Sequence, residues 1–216
     1  MSQLANPGEP VNHTPKANEQ ARRAQRRRDT NETKVAVSID LDGTGQCDIN
    51  TGLPFFDHML DQLGRHGRFD LQVSCDGDLE IDCHHSVEDT SIVLGQVFAE
   101  ALGDKAGIRR FASGLYPLDE SLAEIAVDIS GRPSFHWNAD LPVGILFGTP
   151  AFDSSMVEHA LNSFAINAGI TLHVNLRYGT NPHHMIEAIF KGVARCLGDA
   201  TTVVNDGAIP STKGVL

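Results

Sequence analysis

The amino-acid sequence predicts an α+β protein built from duplicated half-domains, each a small sheet backed by helices. Two observations predict this. Four landmarks recur in one order with a period near 100 residues, the signature of an internal repeat. Asp57-His58-Met59-Leu60 is answered by Glu158-His159-Ala160-Leu161, and the strand-like Phe69–Val73 by Ile170–Val174. His84-His85-Ser86-Val87-Glu88 is answered by His183-His184-Met185-Ile186-Glu187, and Ala101-Leu102-Gly103 by Cys196-Leu197-Gly198. Within each copy, apolar alternation at period two gives way to helical spacing, so strands precede a helix.

The elements follow in order. Residues 1–30 are polar, lack apolar periodicity and are expected to form a disordered basic tail. Order is expected from about Glu32, because Val35, Val37, Ile39 and Leu41 alternate as in a half-buried strand. Gly43-Thr44-Gly45 reads as a turn, and Gly45–Gly52 as polar and turn-like. Asp57–Leu63 reads as a helix start with Pro54 ahead of it. Phe69, Leu71 and Val73 predict a second strand, Asp76-Gly77 a hairpin, and Leu79 and Ile81 its return strand. From His84 the apolar residues Val87, Ile92, Val93, Val97 and Leu102 take helical spacing, and Gly103 ends the run. The expected division is a tail over 1–30, a first half-domain over 31–120 and a second over 121–216. The apolar, Gly/Pro-rich stretch Leu141–Asp153 carries no clear periodicity.

Charge narrows the function. The net charge is −11, yet residues 1–30 hold six Lys/Arg against three acids, +3, which leaves −14 on the remainder. So acidic a body argues against nucleic-acid binding, and an anionic substrate needs a local basic pocket. The charge-free runs Leu141–Phe152 and Ala160–Leu176 are too short or too polar to span a bilayer, and no secretory signal is recognisable, so a cytoplasmic protein is expected. Cys47, Cys75, Cys83 and Cys196 form no CxxC pair and read as structural fillers in a reducing compartment.

Chemistry concentrates in the repeated histidines. On a helix, His84 and Glu88 share a face, whereas adjacent His84 and His85 point about 100° apart, so one metal cannot easily take both. Two metals, or a metal at a junction between chains, can. The first histidine leads its HHxxE by 26 residues in one half and 24 in the other, His58 before His84 and His159 before His183. Imidazole and carboxylate without thiolate suit manganese, iron or zinc, and mixed N/O ligation with open positions favours an octahedral ion such as Mn²⁺. His136 and His173 fall in strand-like runs and read as structural. His66, at the end of the first helix, suits either a cap or a substrate contact.

One motif points elsewhere. Asp40-Leu41-Asp42-Gly43-Thr44 matches the nucleophile motif of haloacid-dehalogenase phosphatases, in which the first Asp attacks phosphorus. Such a motif follows a continuously buried parallel strand, whereas Val35–Leu41 alternates with polar residues, so the match is read as a decoy. A non-enzymatic metal-storage shell and a binuclear zinc hydrolase are the other readings of the same histidines.

Seven segments together resemble the imidazoleglycerol-phosphate dehydratase family: Gly52–Leu60, His84–Thr90, Gly107–Phe111, Pro117–Glu120, Asp128–Pro133, Pro182–His184 and Pro210–Leu216. The likeness runs from about residue 31 to the end. It implies a hydro-lyase of histidine biosynthesis that dehydrates imidazole glycerol phosphate to imidazole acetol phosphate. It implies half-domains of the ribosomal protein S5 domain 2-like type with left-handed βαβ units, assembled as a shell of twenty-four subunits. Two Mn²⁺ ions per active site are implied between subunits, held by His58, His84, His85, Glu88, His159, His183, His184 and Glu187, and stabilising an imidazolate and diazafulvene-like intermediate. Glu32 is then expected as general acid/base with Glu187 assisting, and His58, His66, Arg110, Arg132, Lys191, Ser211 and Lys213 as substrate contacts.

Overall fold

The structure, a computed structural model, describes residues 22–204 and 207–214. In chain order its strands and helices are β1 (Arg23–Asp29), β2 (Thr33–Asp40), β3 (Cys47–Asn50), α1 (Pro54–Gly67), β4 (Asp70–Gly77), α2 (His84–Leu102), β5 (Phe111–Leu118), β6 (Ser121–Asp128), β7 (Ser134–Asn138), β8 (Leu146–Phe147), β9 (Phe152–Asp153), α3 (Met156–Ala168), β10 (Thr171–Tyr178) and α4 (Pro182–Thr201). The duplication is visible in the pairing. One sheet runs β1-β2-β4-β3 and the other β5-β6-β10-β7. Each opens with an antiparallel hairpin. Each closes with a parallel pair bridged by a helix, β3-α1-β4 in one and β7-α3-β10 in the other. The alternating residues Val35, Val37 and Ile39 of β2, and Ala123, Ile125 and Val127 of β6, turn one face of each sheet into the core.

The helices pack between the two sheets and exchange partners across the halves. α2 lies on its own sheet but against α3; α4 lies on β5 and β6 but against α1. Two glycines allow these crossings. A Cβ at Gly95 in α2 would stand 2.5 Å from the Phe164 carbonyl oxygen, and one at Gly198 in α4 would stand 2.7 Å from that of Gly67. Local sequence sets the helix starts. Pro54 opens α1, where its missing N–H costs nothing. The Asp57 carboxylate accepts from the Thr51 amide at 2.7 Å and the Thr51 hydroxyl at 2.6 Å. Asp82 accepts from the His84 amide at 2.7 Å, and Asn181 accepts from the His183 amide at 3.0 Å. A side-chain oxygen two residues back therefore braces the first histidine of each pair, in α4 as the N-cap itself and in α2 from the residue before the N-cap Cys83.

Four expectations are corrected. The basic segment is ordered from Arg22 onward, residues 1–21 lying outside the described residues: Arg23–Asp29 is an edge strand paired with β2. Its cations meet the acidic body, Arg22 on Asp42, Arg23 on Asp40, Arg26 on Glu100 and Arg28 on Asp89, while Ala24 packs against the core. The hairpin and return strand over Asp76–Ile81 are absent because β2 and β3 already occupy both edges of β4; Ile81 is left in a loop, 66% exposed. Cys47–Asn50, read as turn, forms β3, its backbone pairing in parallel with Leu71–Ser74. The boundary at 120 splits a hairpin, since β5 pairs with β6 and belongs to the second half. The unassigned stretch Leu141–Asp153 folds back through β8 and β9, stacking Phe147 on Phe55 at 4.1 Å and burying Phe152. Among the described residues no helix is long and apolar enough to cross a membrane.

Gly95→Ala places its methyl group against backbone that cannot turn aside. It is expected to cost about 1–3 kcal/mol, measured by denaturant unfolding of chelator-treated protein; an unchanged midpoint would show that α2 and α3 part without penalty.

Candidate metal centres

Two triplets of ligating side chains form, each drawn from both halves. His58 on α1 meets His183 and Glu187 on α4; His159 on α3 meets Glu88 and His84 on α2. In each triplet the ligand atoms lie within 4.8 Å of one another. Glu187 Oε2 stands 3.4 Å from His58 Nε2 and 3.0 Å from His183 Nε2. Glu88 stands 3.3 Å from His159 Nε2 and 3.8 Å from His84 Nε2. The i,i+4 spacing sets His and Glu on one face of α2 and of α4, and the helix crossing delivers the third ligand. His159 Nε2 is buried without a hydrogen-bond partner among the described residues. A ring nitrogen so placed costs about 1–3 kcal/mol unless something accepts its lone pair or proton, so the donor set fits a divalent cation of the N/O-preferring kind.

The second histidine of each pair turns away. The helical step carries adjacent side chains about 100° apart, and the ring centroids of His84 and His85 stand 6.1 Å apart, those of His183 and His184 6.2 Å. His85 Nδ1 sits 3.0 Å from Asp78 Oδ2, and its Nε2 3.8 Å from Glu32. His184 Nδ1 sits 2.8 Å from Glu120 Oε2, and its Nε2 3.9 Å from Asp119. Of the eight predicted ligands, six are therefore gathered into two triplets, and the other two lie outside them, held by Asp78 and Glu120.

Electrostatics separates the triplets. Burial pushes the Glu187 carboxyl up, but Lys191 Nζ at 2.6 Å, His58 and His183 together outweigh it and hold the group below its ordinary range. Glu88 has no lysine on its helix one turn on; Ile92 stands there. Hydrogen bonds to Asp78 and to Glu120 raise the pKa of His85 and of His184, and the His184 ring holds the Glu120 carboxyl far down. Burial, then the charges of Lys191 and Arg195, lower His66. His66 neither caps α1 by its side chain nor stands apart: its Nε2 lies 3.2 Å from Gln62 Oε1, and Gln62 Nε2 lies 3.4 Å from His58 Nδ1. His136 and His173 stack on neighbouring strands, 4.2 Å between centroids, away from either triplet.

The expected phosphate contacts do not all converge. Lys191 joins the His58 triplet. Arg110 engages Asp128 through Nε at 2.7 Å and donates to the Pro210 carbonyl at 2.7 Å, tying down the C-terminal segment. Its amide bonds Ala200 at the far end of α4, about 20 Å along the helix from Glu187. Arg132, in the β6–β7 turn, belongs to that far end, where the described part of the tail, with half-buried Ser211 and exposed Lys213, also begins. The residues that sequence reasoning missed are Asp78, Asp119, Glu120, Gln62 and Arg195, together with the Phe55 and Phe147 rings 5.2 and 6.2 Å from His183. Asp119 and Glu120 lay inside one quoted segment and Phe55 inside another, each without a role; the others carried no local signal.

The phosphatase motif is excluded by its surroundings. β2 is antiparallel to both of its neighbours, Asp40 pairs with Arg23, Asp42 pairs with Arg22, and Thr44 through Gln46 donate their amides to Asp70.

A crystal structure of imidazoleglycerol-phosphate dehydratase from Staphylococcus aureus matches with a TM-score of 0.75 and 39% identity, over 84% of this chain and 99% of that one. The enzyme from Pyrococcus furiosus matches with a TM-score of 0.70 and 31% identity, over 88% and 100%. The duplicated fold and these likenesses define a hydro-lyase. A family model, imidazoleglycerol-phosphate dehydratase, matches residues 51–197, and the relative of that name from Frankia casuarinae is 54% identical over 91% of this chain and all of its own length. The relative from Methanopyrus kandleri is 51% identical over 90% of this chain and 96% of its own. The chain belongs to the imidazoleglycerol-phosphate dehydratase family, hydro-lyases of histidine biosynthesis.

No thiol takes part in the triplets. Burial pushes Cys47 up to about 11 and raises Cys75, Cys83 and Cys196. At pH 8 about a thousandth of Cys47 is thiolate, so iodoacetamide is expected to leave the native protein unlabelled over an hour and to label it on unfolding; rapid native labelling would contradict this.

Proposed function

We propose that this chain removes water from imidazole glycerol phosphate to give imidazole acetol phosphate, in the cytoplasm, with two Mn²⁺ ions per active site. The reading is carried by one observation, the two His-His-Glu triplets assembled across the halves of a chain from this family. His58, His183 and Glu187 would hold one ion, and His84, Glu88 and His159 the other. His85 and His184, which stand outside both triplets, would reach ions of neighbouring subunits. Bound there, the ions would supply Lewis acidity to the substrate's ring nitrogens, making the ring an electron sink for a proton that no carbonyl activates.

The chain's own residues do the remainder. Glu32, at the β1–β2 turn and 54% exposed on its side chain, takes and returns the proton as general acid/base, and Glu187 assists. Lys191, His58 and His66 orient the substrate beside the first triplet. Arg110, Arg132, Ser211 and Lys213 receive the phosphate, arginine by paired N–H donors. These four belong to the far end of α4 from the triplets of the same chain. A complete site therefore draws them from a neighbour, which supports self-association, in a shell of twenty-four subunits, with active sites at the interfaces. A storage shell would need neither the acid nor the cations.

Mn²⁺ analysis alongside a dehydration assay tests the reading. Chelation is expected to abolish turnover and Mn²⁺ to restore it; turnover undiminished in chelator would refute the metal assignment. Glu32→Gln should lower kcat by about 10²–10⁴-fold with Mn²⁺ content intact, and full activity would remove Glu32 from the mechanism. Deleting residues 210–216 should raise KM sharply, whereas unchanged kinetics would free the tail of any role.

A further inference from the structure

We infer that Asp78 and Glu120 are positioning residues for the second histidine of each pair, His85 and His184, recruited from non-equivalent places in the two halves, and that this difference is what leaves Glu32 available for proton transfer. The inference rests on the metal reading proposed above and deepens it.

The tautomers come first. A carboxylate only accepts, so the short contacts from His85 Nδ1 to Asp78 and from His184 Nδ1 to Glu120, 3.0 and 2.8 Å, require the proton on Nδ1. Nε2 is then the lone-pair nitrogen in both rings, and it is turned away from the carboxylate that holds Nδ1. A ligating histidine anchored through its other nitrogen by a carboxylate is oriented and made a better donor.

The two halves reach this arrangement differently. Gly77 and Gly179 mark matching positions. A Cβ at Gly77 would strike Ser86 Oγ at 2.2 Å and Thr33 at 3.3 Å, and one at Gly179 would strike Met185 at 2.4 Å and Ser121 at 2.6 Å. Ser86 and Met185 each follow the second histidine, and Thr33 and Ser121 each begin the second strand. By this register Asp78 matches Thr180, and Glu32 matches Glu120. In the first half the residue after the glycine supplies the carboxylate. In the second half that residue is a threonine, and the strand-turn glutamate replaces it. Glu120 is then fully engaged: its Oε1 accepts from the Asn181 amide at 2.8 Å, the Ser121 hydroxyl at 3.0 Å and the Thr180 amide at 3.2 Å, while Oε2 faces His184. The carboxylate of Glu32, its counterpart, approaches only His85 Nε2, at 3.8 Å, among the described residues. One half of the duplicated chain therefore keeps the strand-turn glutamate free beside His85 Nε2, whereas in the other that glutamate is taken up by His184 and the carboxylate near Nε2 is its neighbour Asp119, at 3.9 Å.

The test uses the assembled protein and Mn²⁺ titration after chelation. Asp78→Asn and Glu120→Gln are each expected to weaken Mn²⁺ binding about 10–100-fold, with the circular dichroism and melting of the chelated protein unchanged. Added Mn²⁺ should recover more of the kcat in these variants than in Glu32→Gln, which should bind Mn²⁺ as tightly as the unaltered protein. A double variant, Glu120→Gln with Thr180→Asp, recreates the first half's geometry in the second and is expected to regain part of the lost affinity, which a general structural defect would not. Unaltered Mn²⁺ affinity in both single variants, in a protein that otherwise binds the ion, would overturn the positioning role and leave the dehydratase reading standing. An unaltered protein that binds no Mn²⁺ would overturn both.

Discussion

The structure depends on the crossing of helices between the two halves. Each half alone presents a histidine on one helix and an HHxxE on the next, but α1 packs on α4 and α3 on α2. Only that exchange brings His58 to Glu187 and His159 to Glu88. Close packing at Gly95 and Gly198 holds the crossings, so ligand geometry inherits the rigidity of the core rather than of any loop. The bonds that Asp82 and Asn181 accept from the His84 and His183 amides complete the arrangement by bracing the turn on which each histidine pair is carried.

Charge is distributed with a purpose that net charge conceals. The excess of acids on the body is what orders the basic N-terminal strand: Arg22, Arg23, Arg26 and Arg28 each find a carboxylate on β2, its following turn or α2. Exposed pairs of this kind contribute little singly, but Arg28 joins a carboxylate, Asp89, that is itself buried and also bonded by Thr33, and leaving that group unpaired would be costly. The strand edge thus depends on the interior of α2. The same acidic surroundings explain why cations near the triplets matter. Lys191 offsets Glu187 directly, and Lys191 with Arg195 sets the charge around His66.

Duplication supplied two equivalent frames, and divergence then assigned them different work. Lys191 faces Glu187, while Ile92 stands in the corresponding place before Glu88. The Phe147 ring and the β8–β9 turn wall one triplet, packing against Phe55 and His183, and the first half has no matching insertion between β3 and α1. An enzyme acting on an asymmetric substrate gains from such inequality, because a pair of identical sites offers no means to tell its two ends apart.

The repeat, the α+β class and the six side chains that gather into the triplets were legible in the amino-acid sequence, because matched landmarks at one spacing are local and countable. So was the separation of His84 from His85, which follows from the helical step alone. The short strand β3 was not legible, since its two apolar residues, Cys47 and Ile49, make too brief an alternation and its stability comes from pairing with β4. β1 was hidden by its arginines, whose partners lie far off in the chain. The return strand after Asp76-Gly77 was wrongly expected because local turn chemistry cannot report that both edges of β4 are taken. Asp78 and Glu120 became visible only when distant segments met around an imidazole. By itself the sequence determined which side chains could carry the chemistry; the tertiary structure decided which of them meet. The reason is physical: periodicity records each residue's own face, whereas a ligand set is a property of helices packed from opposite halves.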